Sequence, residues 1–391
     1  MKLLFGTRHA YLDWAAATPA SARAVSAFHT ALRIPGNPLS PHTEGRAARD
    51  VLESARATIA ALAEVKQDAV IFTGSATEAN ALGILGSIEA LHQGGRAYTD
   101  MHVLYDAGAH SSVVGNVARV ALLGVQTQAI TYTNGEIDLA LLPSLITENT
   151  VLVVLTAVCG ETGAITPVRD VRRVLDRAHK GILLLADASQ LPYIGAFQLT
   201  RLGADLLTLD AQKVGGVRGI GALIAPRRIP LAAMYEGGGQ ERGLRSGTPS
   251  HAHAAAFAVA LQDANTNRAK FLSRALELRT LFLQQIQTLP YMEVNEGREQ
   301  APNIINISLL GRDTDYLVAL LDTAGFAVST RSSCETDAVG SRAVLVRFGD
   351  EGRARSTLRI SFGPASTKQE LLRCARALVH AVKFLDRTGI L

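Results

Sequence analysis

Between residues 50 and 260 the chain alternates short apolar segments with amphipathic ones, and this alternation constrains the fold more than any other feature. The run from Val151 to Leu155 is entirely apolar, as expected for a strand that is covered on both faces. Further strand patterns lie at residues 69–73, 102–105, 126–131, 181–186 and 206–209. Helical patterns separate several of them. The order predicts an α/β fold built on a mostly parallel sheet with helices on both sides.

The chain has 391 residues, which is more than one ordinary domain needs. An alanine-rich stretch at residues 254–260 and a long helical pattern at 268–287 precede shorter strand and helix patterns that continue to residue 385. We therefore predict a large domain of residues 14–260 and a smaller α+β domain. The smaller domain takes in residues 1–13 and 261–391.

Composition argues against several classes of protein. Hydrophobic residues make up 48% and charged residues 19% of the chain, as in a globular protein with a large core. The net charge of +4 comes without a clustered run of Lys or Arg, so no direct nucleic-acid partner is expected. The apolar runs are too short to span a bilayer, and the first residues do not form a signal peptide. Three cysteines provide neither a disulfide framework nor a paired metal site, so we expect a cytoplasmic protein without a bound metal.

Two strand patterns end in side chains that suit pyridoxal phosphate (PLP) chemistry. Residues 181–186 run into Asp187, and residues 206–209 run through a short turn into Lys213. Ligands of such sheets bind at the carboxyl ends of the strands, where both side chains are expected. A lysine amine forms a Schiff base with the cofactor's aldehyde, and a buried carboxylate keeps the ring nitrogen protonated. Asp187 alone is also a good helix N-cap, but Lys213 favours the cofactor site.

Two further segments follow strand patterns. Thr73 to Asn80 runs through small residues into a helix from about Thr77, whose free backbone N–H groups and Thr77 hydroxyl suit a phosphate. An ordinary capped turn explains this segment equally well. His110 follows the strand pattern at residues 102–105 and could stack on a cofactor ring or carry protons. Taken alone, it is better explained as a histidine in a polar loop.

Three segments in the second half of the chain also carry reactive side chains. Arg245 and Thr248, in the glycine-rich segment of residues 237–248, could reach phosphate oxygens, although a surface loop is the simpler explanation. Cys334 lies among small polar residues, where an accessible thiolate is a nucleophile and a cysteine without a role is equally compatible. Arg359 is a candidate for binding a carboxylate if it points inward, and otherwise an exposed strand residue.

Together these segments resemble a cysteine desulfurase of the NifS/IscS type, within the class V aminotransferase-like PLP enzymes. The resemblance covers nearly the whole chain in order, and the combination of motifs is specific although each motif alone is not. It rests on residues 11–19, 36–42, 45–46, 73–80, His110, residues 161–163, Asp187, Gln190, Lys213, residues 245–248, Cys334 and Arg359. It implies the PLP-dependent transferase fold (fold type I), with a seven-stranded sheet and a homodimeric assembly.

The resemblance also implies how the cofactor is held. Lys213 binds pyridoxal 5'-phosphate covalently, Asp187 pairs with the pyridinium nitrogen, and Gln190 contacts the phenolic oxygen. His110 stacks on the ring and helps to move protons. The phosphate is bound by backbone and side-chain groups of Ala76, Thr77, Gln212 and Thr248. Of these, Thr248 reaches the phosphate of the neighbouring subunit's cofactor.

The implied substrate is L-cysteine. Arg359 clamps its carboxylate and Arg245 is a second substrate-binding candidate. Cys334 attacks the sulfur of the bound cysteine, which leaves a persulfide on Cys334 and releases alanine. The sulfur then passes to acceptor proteins, either an iron–sulfur scaffold or a tRNA-thiolation enzyme.

The chain departs from the family pattern beside two site residues. Cys159-Gly160 stands where most of the family has Asn-Asn, so Gly160 enters the predicted cofactor site without a polar side chain. Asp210 and Gln212 stand where the family usually has Ser and His before the lysine. Gln212 can still donate to a phosphate. Asp210 would repel it, so we expect the Asp210 side chain to turn away from the phosphate or to contribute only its backbone.

The sequence therefore predicts an L-cysteine desulfurase. Two alternatives stay open at this point. One is another class V PLP enzyme, such as an aminotransferase or a selenocysteine lyase. The other is a degenerate scaffold that binds sulfur-transfer partners without catalysis, which the Gly160 and Asp210 departures motivate.

Overall fold

The computed structural model describes residues 9–330 and 340–388. Its strands are β1 (Ala10–Tyr11), β2 (Val70–Thr73), β3 (His102–Tyr105), β4 (Gln126–Ala129), β5 (Tyr132–Thr133), β6 (Glu136–Ile137), β7 (Thr150–Thr156), β8 (Leu183–Asp187), β9 (Leu206–Asp210), β10 (Gly221–Ile224), β11 (Met292–Val294), β12 (Ile304–Leu309), β13 (Phe326–Ala327) and β14 (Thr357–Ser361). Its α-helices are α1 (Ala22–Leu32), α2 (Thr43–Ala63), α3 (Ala76–Gln93), α4 (Ser111–Leu122), α5 (Leu142–Leu145), α6 (Val168–Ala178), α7 (Leu199–Leu202), α8 (His251–Ile286), α9 (Thr314–Thr323), α10 (Arg342–Phe348), α11 (Glu351–Arg355) and α12 (Lys368–Thr388).

The central sheet has seven strands in the order β2-β10-β9-β8-β7-β3-β4. β10 runs antiparallel to both of its neighbours, and the other pairs are parallel. The predicted mostly parallel, seven-stranded sheet is therefore confirmed. Because the strands other than β10 share one direction, Thr73, Tyr105, Thr156, Asp187 and Asp210 end their strands at the same edge.

The apolar run in β7 reflects burial on both faces of this sheet. Val153 and Leu155 belong to the core on one face, together with residues of α2, α6 and α8. Leu152 and Val154 belong to the core on the other face, together with residues of α3 and α4. Each such side chain contributes roughly 1.5–3 kcal/mol through its burial. A strand covered in this way needs no polar alternation, which is why the pattern in the sequence is continuous.

A smaller antiparallel sheet in the order β11-β12-β14 holds the carboxyl-terminal part of the chain together. The amino-terminal segment joins it, because β1 pairs in parallel with β13 and Asp13 forms a bridge with Ser361. α9 and α12 pack against each other, and α12 also packs against α8. This arrangement places Asp13 beside β14, where it contacts Arg359 in the middle of that strand. Arg359 in turn contacts Gly160, which follows β7 of the central sheet.

Helix α8 is longer than the sequence patterns predict. Residues 254–260 and 268–287 were expected to form separate helices, but a single helix of 36 residues spans both. Its polar stretch at residues 262–267 is interrupted by Ala264, which is buried and continues the apolar face from Leu261 towards Phe271. The predicted domain boundary at residue 260 thus falls inside a continuous helix, and the division into two domains stays a prediction.

Across residues 9–330 and 340–388, no helix combines the length and the apolar character that crossing a membrane requires.

A buried ion pair fixes the glycine-rich segment, residues 237–248, to the central sheet. Glu241 accepts hydrogen bonds from both terminal nitrogens of Arg56 at 2.7 Å and from the backbone N–H of Phe72 at 2.8 Å. The guanidinium also donates to the carbonyl of Val70 at 2.7 Å. Glu241 has a φ of 48°, which is uncommon for a residue with a side chain. Its hydrogen bonds to Arg56 and to Phe72 of β2 offset the cost of that backbone conformation.

Replacing Glu241 by Ala would leave the Arg56 guanidinium buried without its carboxylate. We expect Glu241→Ala to lower the free energy of unfolding by about 3–5 kcal/mol, measured by urea denaturation. Arg227→Ala is the matched control, because Arg227 pairs with Asp68 at 2.6 Å on the exposed surface. The control should cost less than about 1 kcal/mol. An equal loss of unfolding free energy in the two variants would show that Glu241 does not fix residues 237–248 to the sheet.

Candidate functional site

A cavity of about 320 Å³ opens at the carboxyl edge of the central sheet. Its wall combines strand ends, the start of α3, the segment after β1 and a residue of β14. Most of the residues predicted for the site line it: Ala76, Thr77, His110, Gly160, Asp187, Gln190, Gln212, Lys213 and Arg359. Segments far apart in the sequence therefore converge on one volume.

The amine of Lys213 lies inside the protein. Lys213 ends a short helical turn after β9, and its Nζ donates to the carbonyl oxygens of Ala15 at 2.8 Å and Ala16 at 2.6 Å. Burial lowers the pKa of Lys213, and the negative charge of Asp210 opposes this only in part. The neutral amine is the form that attacks an aldehyde. The cavity therefore favours the reactive state of Lys213.

The carboxylate of Asp187 is held by three donors. Oδ1 accepts from the backbone N–H of Ser189 at 3.0 Å and from its hydroxyl at 2.6 Å. Oδ2 accepts from the side-chain amide of Asn80 at 2.8 Å. Only 7% of Asp187 is exposed, so these bonds replace the water that the carboxylate lost on folding. The result is a negative charge at a fixed position on the cavity wall, suited to a cationic ring N–H.

A chain of hydrogen bonds connects Asp187 to His110. The amide nitrogen of Asn80 donates to Asp187 and also to the hydroxyl of Ser112, the latter at 3.0 Å. This hydroxyl lies 2.8 Å from Nδ1 of His110, which also accepts from the backbone N–H of Ser112 at 3.1 Å. Nδ1 is therefore the unprotonated ring nitrogen. The hydrogen-bond network assigns the proton of a neutral His110 to Nε2.

The amino terminus of α3 forms another part of the cavity wall, where Ala76 and Thr77 lie. Here the carboxylate of Asp210 enters the site. Oδ2 accepts from the backbone N–H of Ala76 at 2.9 Å, and Oδ1 accepts from the backbone N–H of Gln212 at 3.0 Å. The expectation that Asp210 turns away is wrong. Backbone N–H groups at the start of a helix lack partners within the helix, and a nearby carboxylate satisfies them well.

Gly160 makes room for Gln190. A Cβ at Gly160 would lie 3.3 Å from Nε2 of Gln190, closer than most such contacts. Nε2 donates to the carbonyl of Ala15 at 2.8 Å, which holds the Gln190 side chain at the cavity. The preceding Cys159 is buried on the cavity wall, and its Sγ accepts from the backbone N–H of Thr162 at 3.4 Å. A buried thiol and a glycine, whose missing Cβ leaves room for Gln190, thus stand where the family has its Asn-Asn pair.

Arg359 points inward, so the alternative of an exposed strand residue is wrong. It is 3% exposed, and its Nη2 donates to Oδ1 of Asp13 at 2.7 Å. Nη1 donates to the carbonyl of Gly160 at 3.0 Å. Within the described residues, its Nε is buried and has no hydrogen-bond partner. Besides the two bonds that fix it, the guanidinium therefore keeps a buried Nε–H donor.

Cys334 lies outside the described residues, but the residues that flank its segment contact the cavity wall. Ser329 and Arg359 exchange backbone hydrogen bonds at 3.1 and 2.6 Å. After the segment, the hydroxyl of Ser341 donates to the carboxylate of Glu161. Both Arg359 and Glu161 line the cavity. Ser329 and Ser341, the described residues near either end of the undescribed segment, therefore bond to residues of the cavity wall.

Arg245 and Thr248 do not line the cavity. Arg245 forms an ion pair with Glu78 in the first turn of α3 at 2.9 Å, and Tyr235 donates to the same carboxylate at 3.1 Å. Thr248 is exposed. Their predicted contacts with substrate and with a neighbouring subunit's phosphate stay predictions.

Sequence analysis missed the polar residues whose hydrogen bonds hold the side chains of the cavity wall in place. Asn80, Ser112 and Asp13 contact predicted site residues, and none was singled out. Asn80 carried a usable signal, because it is a fully buried amide between the buried residues Ala79 and Leu82 of α3. A polar residue on a buried helix face requires a partner. The identity of that partner depends on the folded chain.

Removing the Asn80 amide tests the hydrogen-bond chain. Asn80→Ala leaves Oδ2 of Asp187 buried without its donor, so we expect a loss of about 1–3 kcal/mol in unfolding free energy of the apoprotein. Asn116→Ala is the control, because the Asn116 amide bonds only a helix carbonyl on a partly exposed face. That variant should stay within about 0.5 kcal/mol of the parent. A negligible effect of Asn80→Ala would show that the chain contributes nothing to stability.

Comparisons with known proteins all find class V aminotransferases and, among them, cysteine desulfurases and NifS-like proteins. The family model described as Aminotransferase class-V matches residues 10–373. Cysteine desulfurase IscS 1 of Archaeoglobus fulgidus is 28% identical over 380 residues, which cover 96% of this chain and 97% of the relative. Cysteine desulfurase IscS of Neisseria gonorrhoeae is 32% identical over 372 residues, covering 92% of this chain and 89% of the relative. A solved NifS-like protein superposes with a TM-score of 0.88 at 26% identity, covering 97% of this chain and 100% of its own.

Proposed function

The chain belongs to the aminotransferase class-V family of PLP enzymes, and we propose that it is an L-cysteine desulfurase. One observation carries the proposal. The desolvated amine of Lys213 and the fixed carboxylate of Asp187 line a single cavity. Ser329 and Ser341, on either side of the segment containing Cys334, bond to Arg359 and Glu161 of its wall. A thiol delivered there faces the same volume as the lysine and the acid that PLP chemistry uses.

The donors around the cavity fit PLP, and the volume lies in the usual range of cofactor and ligand sites. Lys213 would hold the aldehyde carbon, Asp187 the ring nitrogen and Gln190 the phenolic oxygen, while His110 would cover the ring. When bound, the cofactor would supply an electron sink that stabilises charge at the substrate Cα. A side chain at Gly160 would press against Gln190.

The phosphate end of the proposed site lies at the start of α3. Thr77 offers a backbone N–H group and Gln212 a side-chain amide, while the backbone N–H of Ala76 is shared with Asp210. Thr248 is exposed and available to a second subunit, which supports a homodimer in which it reaches the neighbouring phosphate.

Proton transfer falls to two residues of this chain. With the substrate bound, Nζ of Lys213 would be the base that takes the proton from the substrate Cα. Burial lowers the pKa of Lys213, which keeps enough of the amine unprotonated to act as a base. His110 holds its proton on Nε2 through the bonds that Nδ1 accepts, so Nε2 is the atom that donates.

Cys334 performs the sulfur transfer. Its thiolate attacks the substrate sulfur, an S–S bond forms, and the bond between sulfur and Cβ of the substrate breaks. The electron pair left on carbon takes up protons and the fragment leaves as alanine, while Cys334 keeps a persulfide. The persulfide is then passed to an acceptor protein for iron–sulfur cluster assembly or tRNA thiolation, in the cytoplasm.

Cys334→Ala should lose sulfur transfer while it retains cofactor binding. We expect release of alanine from cysteine to fall on the order of 100-fold or more, with no persulfide on the peptide that contains residue 334, measured by mass spectrometry. Cys374→Ala is the matched control, because burial raises the pKa of Cys374 to about 12 and leaves an inert thiol. Cys159→Ala tests the second thiol on the cavity wall and should keep the persulfide on Cys334.

Full sulfur release by Cys334→Ala would refute the persulfide mechanism and favour another class V enzyme, such as an aminotransferase or a selenocysteine lyase. A non-catalytic scaffold would bind no PLP. A parent protein with no visible absorbance band, or with a band that Lys213→Ala does not abolish, would support that alternative.

Arg359 is proposed to bind the substrate carboxylate. Arg359→Lys keeps the charge but removes the planar pair of donors, so we expect the KM for cysteine to rise about 10- to 100-fold with a smaller change in kcat. Arg355→Lys is the control, because Arg355 is exposed and pairs with Glu351 at 3.1 Å just before the same strand. Steady-state kinetics distinguish the two. An unchanged KM in Arg359→Lys would remove Arg359 from substrate binding.

A further inference from the structure

The carboxylate of Asp210 occupies the part of the site where the cofactor's phosphate is expected. It is 5% exposed, lines the cavity, and accepts the backbone N–H of Ala76 at 2.9 Å. This N–H lies at the positive end of α3, a helix of 18 residues. A phosphate bound there would meet an anion that already uses the same donor. Any account of cofactor binding by this chain must therefore include Asp210.

The groups closest to Asp210 act in opposite directions on its charge. Burial raises the pKa of Asp210 and the nearby carboxylate of Asp187 adds to the rise. The backbone N–H groups of Ala76 and Gln212 and the charge of Lys213 lower it. The net shift is upward, so Asp210 takes up a proton more easily than an exposed aspartate.

The other charged groups at this end are already paired. Glu78, in the first turn of α3, forms an ion pair with Arg245 at 2.9 Å and accepts the backbone N–H of Gly74. On β10, the residue opposite Asp210 is Gly221, which has no side chain to titrate.

The same holds across the cavity. Arg359, from β14, is paired with Asp13 at 2.7 Å. These two ion pairs contribute little net charge towards Asp210, so neither cancels a phosphate placed beside it.

We propose that Asp210 binds the cofactor's phosphate as a neutral acid, so that loading of PLP takes up a proton. The protonated oxygen donates to a phosphate oxygen, and the other oxygen keeps accepting a backbone N–H. A phosphate ester carries between one and two negative charges near neutral pH, and an ionised carboxylate at hydrogen-bond distance would repel it in a buried site. One shared proton turns the repulsion into a hydrogen bond, as it does for paired carboxylates. Affinity for PLP should then fall about tenfold per pH unit once Asp210 is ionised in the apoprotein.

The full-length apoprotein, titrated with PLP, provides the test. Calorimetry in two buffers with different heats of ionisation counts the protons taken up, and absorbance titrations give the Kd from neutral to alkaline pH. We expect the parent to take up close to one proton more than Asp210→Asn and Asp210→Ser, and both variants to bind PLP at least about tenfold more tightly at alkaline pH. Asp210→Ser keeps a hydroxyl that can accept the Ala76 N–H, so the start of α3 stays capped.

Two controls isolate the effect. Pyridoxal, which lacks the phosphate, should give the same proton count in the parent and in both Asp210 variants. Asp205→Asn should behave as the parent, because Asp205 accepts a backbone N–H at the opposite end of β9 and pairs with Arg172 there. Equal proton counts and equal pH slopes in parent and variants, or weaker PLP binding by both variants at every pH, would overturn the proposal. Because the readout is cofactor binding, this outcome is independent of whether the enzyme releases sulfur.

Discussion

Lys213, Asp187, Asp210 and Arg359 share the wall of one cavity, where burial weakens the screening of their charges by water. A charged group without a partner in such a place is costly to bury, and each of these residues meets the cost differently. Arg359 has the carboxylate of Asp13, and Asp187 has three hydrogen-bond donors. Lys213 has a lowered pKa and backbone carbonyls, so it can give up its proton. Asp210 has donors as well, but the effect of burial on its pKa is larger than theirs, and the pKa is raised. Of the four residues, Asp210 is the one whose charge the cofactor's phosphate would affect most directly.

Much of the fold follows from local patterns in the sequence. The continuous apolar run of β7 and the alternation of strands and helices require only the immediate neighbours along the chain, so the sheet and its direction were predictable. The single helix α8 was not predicted, because the polar residues at 262–267 look like a break. Burial of Ala264 against distant parts of the chain decides that question, and such contacts leave no local pattern.

The site divides in the same way. The rule that ligands bind at strand ends correctly predicted that Asp187 and Lys213 lie at one site, since both are found at the carboxyl ends of neighbouring parallel strands. Asn80 and Ser112 were missed because their partners are far away in sequence. The expectation for Asp210 was wrong for a different reason. It considered repulsion from a phosphate and left out the backbone N–H groups at the start of α3, which hold the carboxylate in place.

Helix α8 has a mechanical consequence. Its 36 residues span about 54 Å and contain neither Gly nor Pro, so it resists sharp bending. Near its start, His251 contacts the end of α1, and further along Arg274 and Arg279 contact the carboxyl-terminal part of the chain. Helix α8 therefore connects α1 with the carboxyl-terminal strands through a segment that has no site of easy bending. Any change in the distance between these two sets of contacts would have to bend the helix.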